Sequence, residues 1–308
     1  MNRGPLFGIA LKIAATFSFG VMGLLVKLLG DGFHAGQIIF FRAFFALIPV
    51  FALLWWQGGT LASLATQRPG AHALRSGAGT MAMFFGFSAL LLLPLADATA
   101  IGFAAPVISV ILAVFILGEA VRVYRWAAVA TGFLGVLMMV WPHLGGGTDD
   151  RAGGGQALGA LFALLGAVCS AFAMNFIRLM SRPGEGHEPG TTIAFYFQAT
   201  AAALGALFLP FVWVTPSWGD LALLIAVGIC GGMGQLLMTH SYAYAPVATI
   251  ATFDYVAMIW ALAFGYLFLS EFPVPLVIAG AAVVAGSGLF IVWRERQLGR
   301  EKPRISSA

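Results

Sequence analysis

The sequence predicts an all-α polytopic membrane protein, with ten transmembrane helices in two inverted five-helix repeats. Three observations lead there. Of the 308 residues, 60% are hydrophobic and only 9% charged, and mean hydropathy is +0.94. A soluble globular domain carries about a quarter charged residues, so this chain has too little polar surface to cover itself in water, and lipid must be its solvent. Next, ten apolar runs follow one another, each near the roughly 20 residues that a bilayer crossing needs. Finally, the second half of the chain repeats the first.

The runs follow in order. Residues 6–29 come after a basic start at Arg3 and show no small-residue cleavage site, so an uncleaved first helix is expected rather than a signal peptide. This span carries Lys12, whose stem can snorkel to the near face, and Lys27, an anchor at the far end. The second run, 36–56, holds Arg42 among Phe40, Phe41, Phe44 and Phe45. The third, 74–93, is preceded by Arg68 and opens at Arg75; the fourth, 96–117, has Pro106 in its middle, where it can kink the helix, and ends before Glu119. The fifth is 123–141. Residues 142–155 are Gly-rich and read as a flexible linker between halves. Then come 156–178, ending at Arg178; 191–214, with Gln198; and 220–241, whose Gly228 and Gly232 give the small-residue spacing that lets helices approach. The ninth, 247–269, carries Asp254 and ends before Glu271; the tenth is 274–293, and a basic tail, 294–308, follows.

With the N-terminus inside, Arg3, Arg68, Arg75, Arg122, Arg125, Arg178, Arg182, Arg294, Arg296, Arg300, Lys302 and Arg304 all fall on the cytoplasmic side, leaving only Lys27 and Arg151 outside. The positive-inside bias therefore predicts two cytoplasmic termini in a bacterial inner (plasma) membrane. The repeat is read by laying Gly8 on Gly159, which brings Lys27 onto Arg178; Ala96 falls on Ala245 and Glu119 on Glu271 at nearly the same offset. An odd number of spans per half makes the halves enter the membrane from opposite sides, the architecture of alternating-access carriers. Residues 6–141 and 156–293 are the expected repeats.

The stretches "IIFFRAFF", "PLADATAIGFAAPVIS…LGE" and "GGMGQLLMTHSYAYAPVATIATFDYVAMIW…LSE" together resemble the EamA-type members of the drug/metabolite transporter superfamily over nearly the whole chain. The resemblance implies ten helices in two repeats, a central cavity built by spans 1 to 4 and 6 to 9 with spans 5 and 10 peripheral, and the movement of small organic solutes. The branch it is nearest includes S-adenosylmethionine and riboflavin carriers, with amino-acid exporters more distant.

Ionisable groups deep in spans are costly and are functional candidates by default. Arg42 lies about 9 Å inside its span at 1.5 Å per residue. Two readings stand: it snorkels or ties together carbonyls of neighbouring helices, or it faces a cavity and attracts a carboxylate or phosphate. In the repeat it falls on Gln198, as Asp254 falls on Ala105, and such departures from symmetry are where substrate contacts are expected. Asp254 is a candidate for proton coupling, for meeting a cationic solute, or for pairing with Arg42. Asn175, Gln198 and Gln235 are candidates either to bind solute or to join helices, and Phe103 and Tyr255 to line an apolar cavity. Glu119 and Glu271 are each expected to sit against the N-terminus of the following helix and stabilise it through its dipole. His240 ends span 8.

Other classes find less support. No HExxH, GxSxG or paired-acid motif lies in a span, and Asp149–Asp150 falls in the linker, so neither an intramembrane enzyme nor a metal centre is expected. Cys169 and Cys230, both in apolar runs, read as small buried hydrophobes. No cofactor is expected. The expected partners are a small-molecule substrate, the lipid bilayer and, as one option, a second copy of the chain as a homodimer; the net charge of +4 is topological and does not point to nucleic acid.

Overall fold

The computed structural model describes residues 5–117, 123–144, 150–180, 188–241, 244 and 252–300. Its helices are α1 (Pro5–Leu29), α2 (Ala35–Trp56), α3 (Pro69–Leu92), α4 (Leu95–Gly102), α5 (Ala104–Leu117), α6 (Val123–Leu144), α7 (Asp150–Met180), α8 (Gly190–Val212), α9 (Trp218–Ser241), α10 (Val256–Leu269) and α11 (Pro275–Arg300). Seven segments are long and apolar enough to cross a membrane, among them Leu95–Ala113, which joins α4 and α5. The shorter apolar helices Phe253–Leu269 and Pro275–Ile291 and the 24-residue α3 complete ten spans among the described residues.

The packing obeys the repeat. Matching span 1 to span 6, 2 to 7, 3 to 8, 4 to 9 and 5 to 10 predicts which helix pairs map onto each other. The pair α1 with α9 maps onto α7 with α3, and both are extensive contacts. The self-mated pairs also touch: α2 packs on α8, α6 on α11, and α4 on α10. A pseudo-twofold relation between the two halves accounts for all of these.

Span 4 is a broken helix. The ring of Pro106 cannot coexist with a helical carbonyl at Gly102, four residues earlier, and it supplies no N–H to that carbonyl. The helix accordingly stops at Gly102, Phe103 donates its N–H to the Ala100 carbonyl at 3.0 Å, and α5 restarts at Ala104. Span 9 is irregular at the corresponding place, with a 3-10 turn at Thr252–Tyr255 before α10. The two irregularities meet: the rings of Phe103 and Tyr255 pack edge to face at 5.3 Å, and the Tyr255 hydroxyl fills the space a side chain would need at Gly288.

Glycines set the closest approaches. At Gly232 a Cβ would stand 2.9 Å from the Ala46 Cα, so α9 presses on the backbone of α2, as the spacing of Gly228 and Gly232 leads one to expect. The peripheral helices α6 and α11 meet through Gly135 and Gly280, where each glycine faces the other's carbonyl. Tryptophans collect near helix ends and point outward: Trp55 and Trp56 on α2, Trp126 and Trp141 on α6, Trp218 on α9 and Trp293 on α11. Amphipathic rings prefer that depth, at the membrane–water interface.

Several bounds differ from the sequence reading. The third span starts at Pro69, not 74, because proline at the first helical position is preorganised for a helix. Helix α7 starts at Asp150, inside the Gly-rich stretch read as a flexible linker, and α11 runs to Arg300 through the start of the basic tail. In both cases the helix of a packed span continues outward by one to two turns. Glu119, Arg122, Arg182, Lys302, Arg304 and Arg3 lie outside the described residues.

Candidate functional site

A cavity of about 430 Å³ opens between the repeats. Its wall draws Phe19 and Met22 from α1, Arg42 from α2, Arg75, Gly79 and Met83 from α3, Thr99 from α4, Ser170 and Met174 from α7, Phe197 from α8, and Gln235 and Met238 from α9. Spans 1 to 4 and 6 to 8 thus all contribute, whereas α6 and α11 do not. The wall is mostly thioether, aromatic and small apolar groups, and none of its described residues is acidic.

Arg42 is 3% exposed and faces protein and cavity, not lipid. Its Nη1 donates to Gln198 Oε1 at 2.6 Å. The two residues that the repeat lays on each other therefore touch, which places them at the pseudo-twofold axis. The Arg42 Nε is buried with no hydrogen-bond partner, and so is the amide nitrogen of Gln198. Opposite stands Arg75, also 3% exposed, with Nε and Nη1 unpartnered. Both guanidinium groups lie near the Phe197 ring, Arg75 at 3.7 Å from its centroid and Arg42 at 5.5 Å. A cation over an aromatic face gains about 0.5–2 kcal/mol, which supports two charges that meet no carboxylate among the described residues.

Arg75 corrects the sequence reading, which counted it as a cytoplasmic topology marker. Because α3 begins at Pro69, Arg75 sits in the second turn and its side chain turns inward. The missed signal was that proline, which marks a helix start six residues upstream.

Asp254 does not pair with Arg42. Its carboxylate meets Lys12 Nζ at 2.6 Å, joining α1 to the 3-10 turn of span 9. Lys12 does not snorkel; it is 1% exposed. Spans 1 and 9 enter from the same side, and both charges sit about two turns in, so the pairing was legible in the depths. Asp254 does not line the cavity, and neither do Asn175, Gln198, Tyr255 or Phe103. Asn175, fully buried, donates to the Ser109 hydroxyl at 3.1 Å and to the Ala171 carbonyl at 2.9 Å, linking α7 to α5. Gln235 lines the cavity, while the His240 ring packs on the carbonyl of Leu236 in its own helix.

Glu271 stabilises a helix N-terminus, but not that of the following helix. Its Oε2 accepts the backbone N–H of Leu95 at 2.7 Å, at the start of α4, and its Oε1 meets Lys27 Nζ at 2.9 Å. Lys27 also donates to the Leu93 carbonyl at 2.8 Å. Glu271 therefore ties spans 1, 4 and 9 at one point. The chain turns back after Leu269 through Ser270 in the left-handed region (φ 53°), which aims Glu271 at its neighbour.

Two further buried pairs escaped the sequence reading. His143 and Asp97 approach to 3.4 Å between α6 and α4, and His72 and Glu188 to 3.6 Å, with the Thr66 hydroxyl donating to Glu188 at 2.6 Å. Among the described residues no cluster of His, Cys, Asp and Glu could hold a metal ion.

Known proteins share this plan. The chain is 27% identical over 294 residues to an S-adenosylmethionine uptake transporter of Rickettsia prowazekii, covering 94% of each protein. It is 29% identical over 287 residues to the pseudopaline exporter CntI of Pseudomonas aeruginosa, covering 90% of this chain and 93% of that protein. A crystal structure with 20% sequence identity has the same fold, with a TM-score of 0.67 over 94% of this chain and 98% of that one. The EamA-like transporter family matches residues 6–141 and again 157–293, once per repeat. Matched over both halves, the chain belongs to the EamA-like transporter family.

Proposed function

We propose that the cavity is the solute site of an inner-membrane secondary transporter that moves a small amphipathic metabolite by alternating access, with both termini in the cytoplasm. The observation that carries this reading is the cavity's place: it lies between the repeats, with walls from both, around a buried guanidinium. A rocking motion of one repeat against the other exposes such a site to each side in turn. Relatives named for S-adenosylmethionine uptake and for pseudopaline export support a metabolite of modest size as cargo, without fixing direction.

The residues divide the work. Arg42 and Gln235 offer polar contacts, while Phe197 and the methionines receive the apolar part of the solute. Gln198 positions Arg42. Asn175, Phe103 and Tyr255 act one layer out, holding the broken spans that border the site. Asp254 serves energy coupling: a proton reaching its carboxylate would break its ion pair with Lys12 and loosen one of the ties between span 1 and span 9.

Proteoliposome transport tests the whole. Radiolabelled solute should accumulate and then exchange unchanged with unlabelled solute outside, and Arg42→Gln should lower the rate at least tenfold. Chemical conversion of the solute, or uptake indifferent to the cavity substitution, would overturn the reading. Under an imposed pH gradient, Asp254→Asn should lose the acceleration seen with the native protein; an unchanged gradient response would remove Asp254 from coupling.

A further inference from the structure

Among the described residues the cavity wall carries two cations and no acid. Each acid whose partners are described is engaged elsewhere: Asp97 faces His143, Glu188 faces His72 and Thr66, Asp254 faces Lys12, Glu271 faces Lys27, and Asp220 caps its own helix through Ser217. Arg42 and Arg75 keep three buried N–H-bearing nitrogens unpartnered, and their shared ring sets the two charges close together. An ion taken out of water without a counter-charge is costly, and like charges in a low-dielectric pocket repel. The pair of guanidinium groups is thus short of negative charge, and one anionic group compensates only part of it.

From this we infer that the solute is a dianion: an amphipathic metabolite whose two negative charges lie between Arg42 and Arg75 while its apolar portion rests on Met22, Met83, Met174 and Met238. The inference rests on the reading of the cavity as the transport site. It assigns Arg75 as a second solute-binding residue and makes charge the basis of selection. A zwitterion with one carboxylate is held by one arginine alone. A solute with net positive charge, such as S-adenosylmethionine, adds a third cation to a pocket that offers it no carboxylate, so this chain's cargo differs in charge class from that of its S-adenosylmethionine-carrying relatives. Guanidinium groups suit the task because their forked donors meet carboxylate or phosphate oxygens in pairs.

The test is binding to the full-length protein in nanodiscs, using a matched pair of probes. N-benzoylglutamate and N-benzoylglutamine share a ring and one carboxylate and differ only in the second. The dicarboxylate should bind about tenfold or more tighter at low salt, a step of roughly 1.4 kcal/mol, and the margin should shrink as salt rises. Arg75→Gln should bring the two affinities within threefold of each other, whereas Arg75→Lys should keep a reduced preference. Phenyl phosphate, a dianion on a single group, separates the two sources of charge: binding as tight as the dicarboxylate assigns both arginines to one phosphate. Equal affinities of the matched pair in the native protein overturn the proposal, as does tighter binding of S-adenosylmethionine or no binding of any dianion at 10 mM. The native comparison stands even where Arg75→Gln fails to fold. Dianion binding without transport in proteoliposomes would sink the carrier reading and leave the anion site intact; transport with equal affinities would do the reverse.

Discussion

Lys12 and Asp254 are unequal partners: the lysine side chain is 1% exposed and the aspartate 32%. Removing one member of a buried pair typically costs about 3–5 kcal/mol because a charge is stranded, while replacing both with neutral groups is often nearly neutral. Asp254→Asn takes a carboxylate away from a fully buried ammonium, whereas Lys12→Met leaves a carboxylate that already reaches solvent. The aspartate substitution should therefore lower the unfolding temperature more, and the double substitution should recover much of the loss, as read by a thermal melt in detergent. Arg42 tells a related story about what a sequence discloses. A guanidinium inside an apolar run had to face protein or water, and it does. Its neighbour Arg75 went unread because it stood near the expected end of a span, where basic residues ordinarily mark topology. Asn175 and Gln198 had two readings each, and the sequence could not show their neighbours: Asn175 hydrogen-bonds to Ser109 and Gln198 to Arg42.

Helices were the most legible level, and their interruptions the least. The ten spans follow from length and hydropathy, and Pro106 announces a disturbance. Its position at Gly102–Phe103 follows from which carbonyl the proline ring displaces. The meeting of that break with the 3-10 turn at Thr252–Tyr255 depends on packing that no local pattern encodes. Restoring the helix should show what the break is for. Pro106→Ala allows an unbroken span 4, so the unfolding temperature should stay level or rise while maximal transport rate falls severalfold; an unaltered rate would relieve the break of any role in movement. Close approaches give a second prediction. A branched side chain at Gly232 collides with the backbone of α2, and overpacking of this kind costs about 1–3 kcal/mol. Gly232→Val should reduce the yield of folded protein, measured by gel filtration, far more than Gly77→Ala, whose Cβ meets nothing within 4 Å.

At the scale of the whole molecule, the repeat predicts its own contacts: helix pairs occur in mates, and Arg42 touches its counterpart Gln198 on the axis. An even number of crossings puts residue 5 and residue 300 on the same face. Reporter fusions at the two ends should agree, and both should report the cytoplasm if the arginine bias sets orientation; disagreement between the ends would break the span count. The repeat was readable because two halves of one chain align, whereas the cavity's charge was not, since it depends on where each acid of the chain finds its partner. The methionines on the cavity wall carry one last implication. Unbranched thioethers adopt many shapes at little cost, so a wall built from Met22, Met83, Met174 and Met238 conforms to its guest. If the two arginines select the solute as proposed, fixed charges set into a yielding wall make a carrier strict about electrical valence and lenient about outline. Structurally dissimilar anions should compete for it with similar potency, and a cell bearing it would be exposed to a broad class of molecules rather than to one.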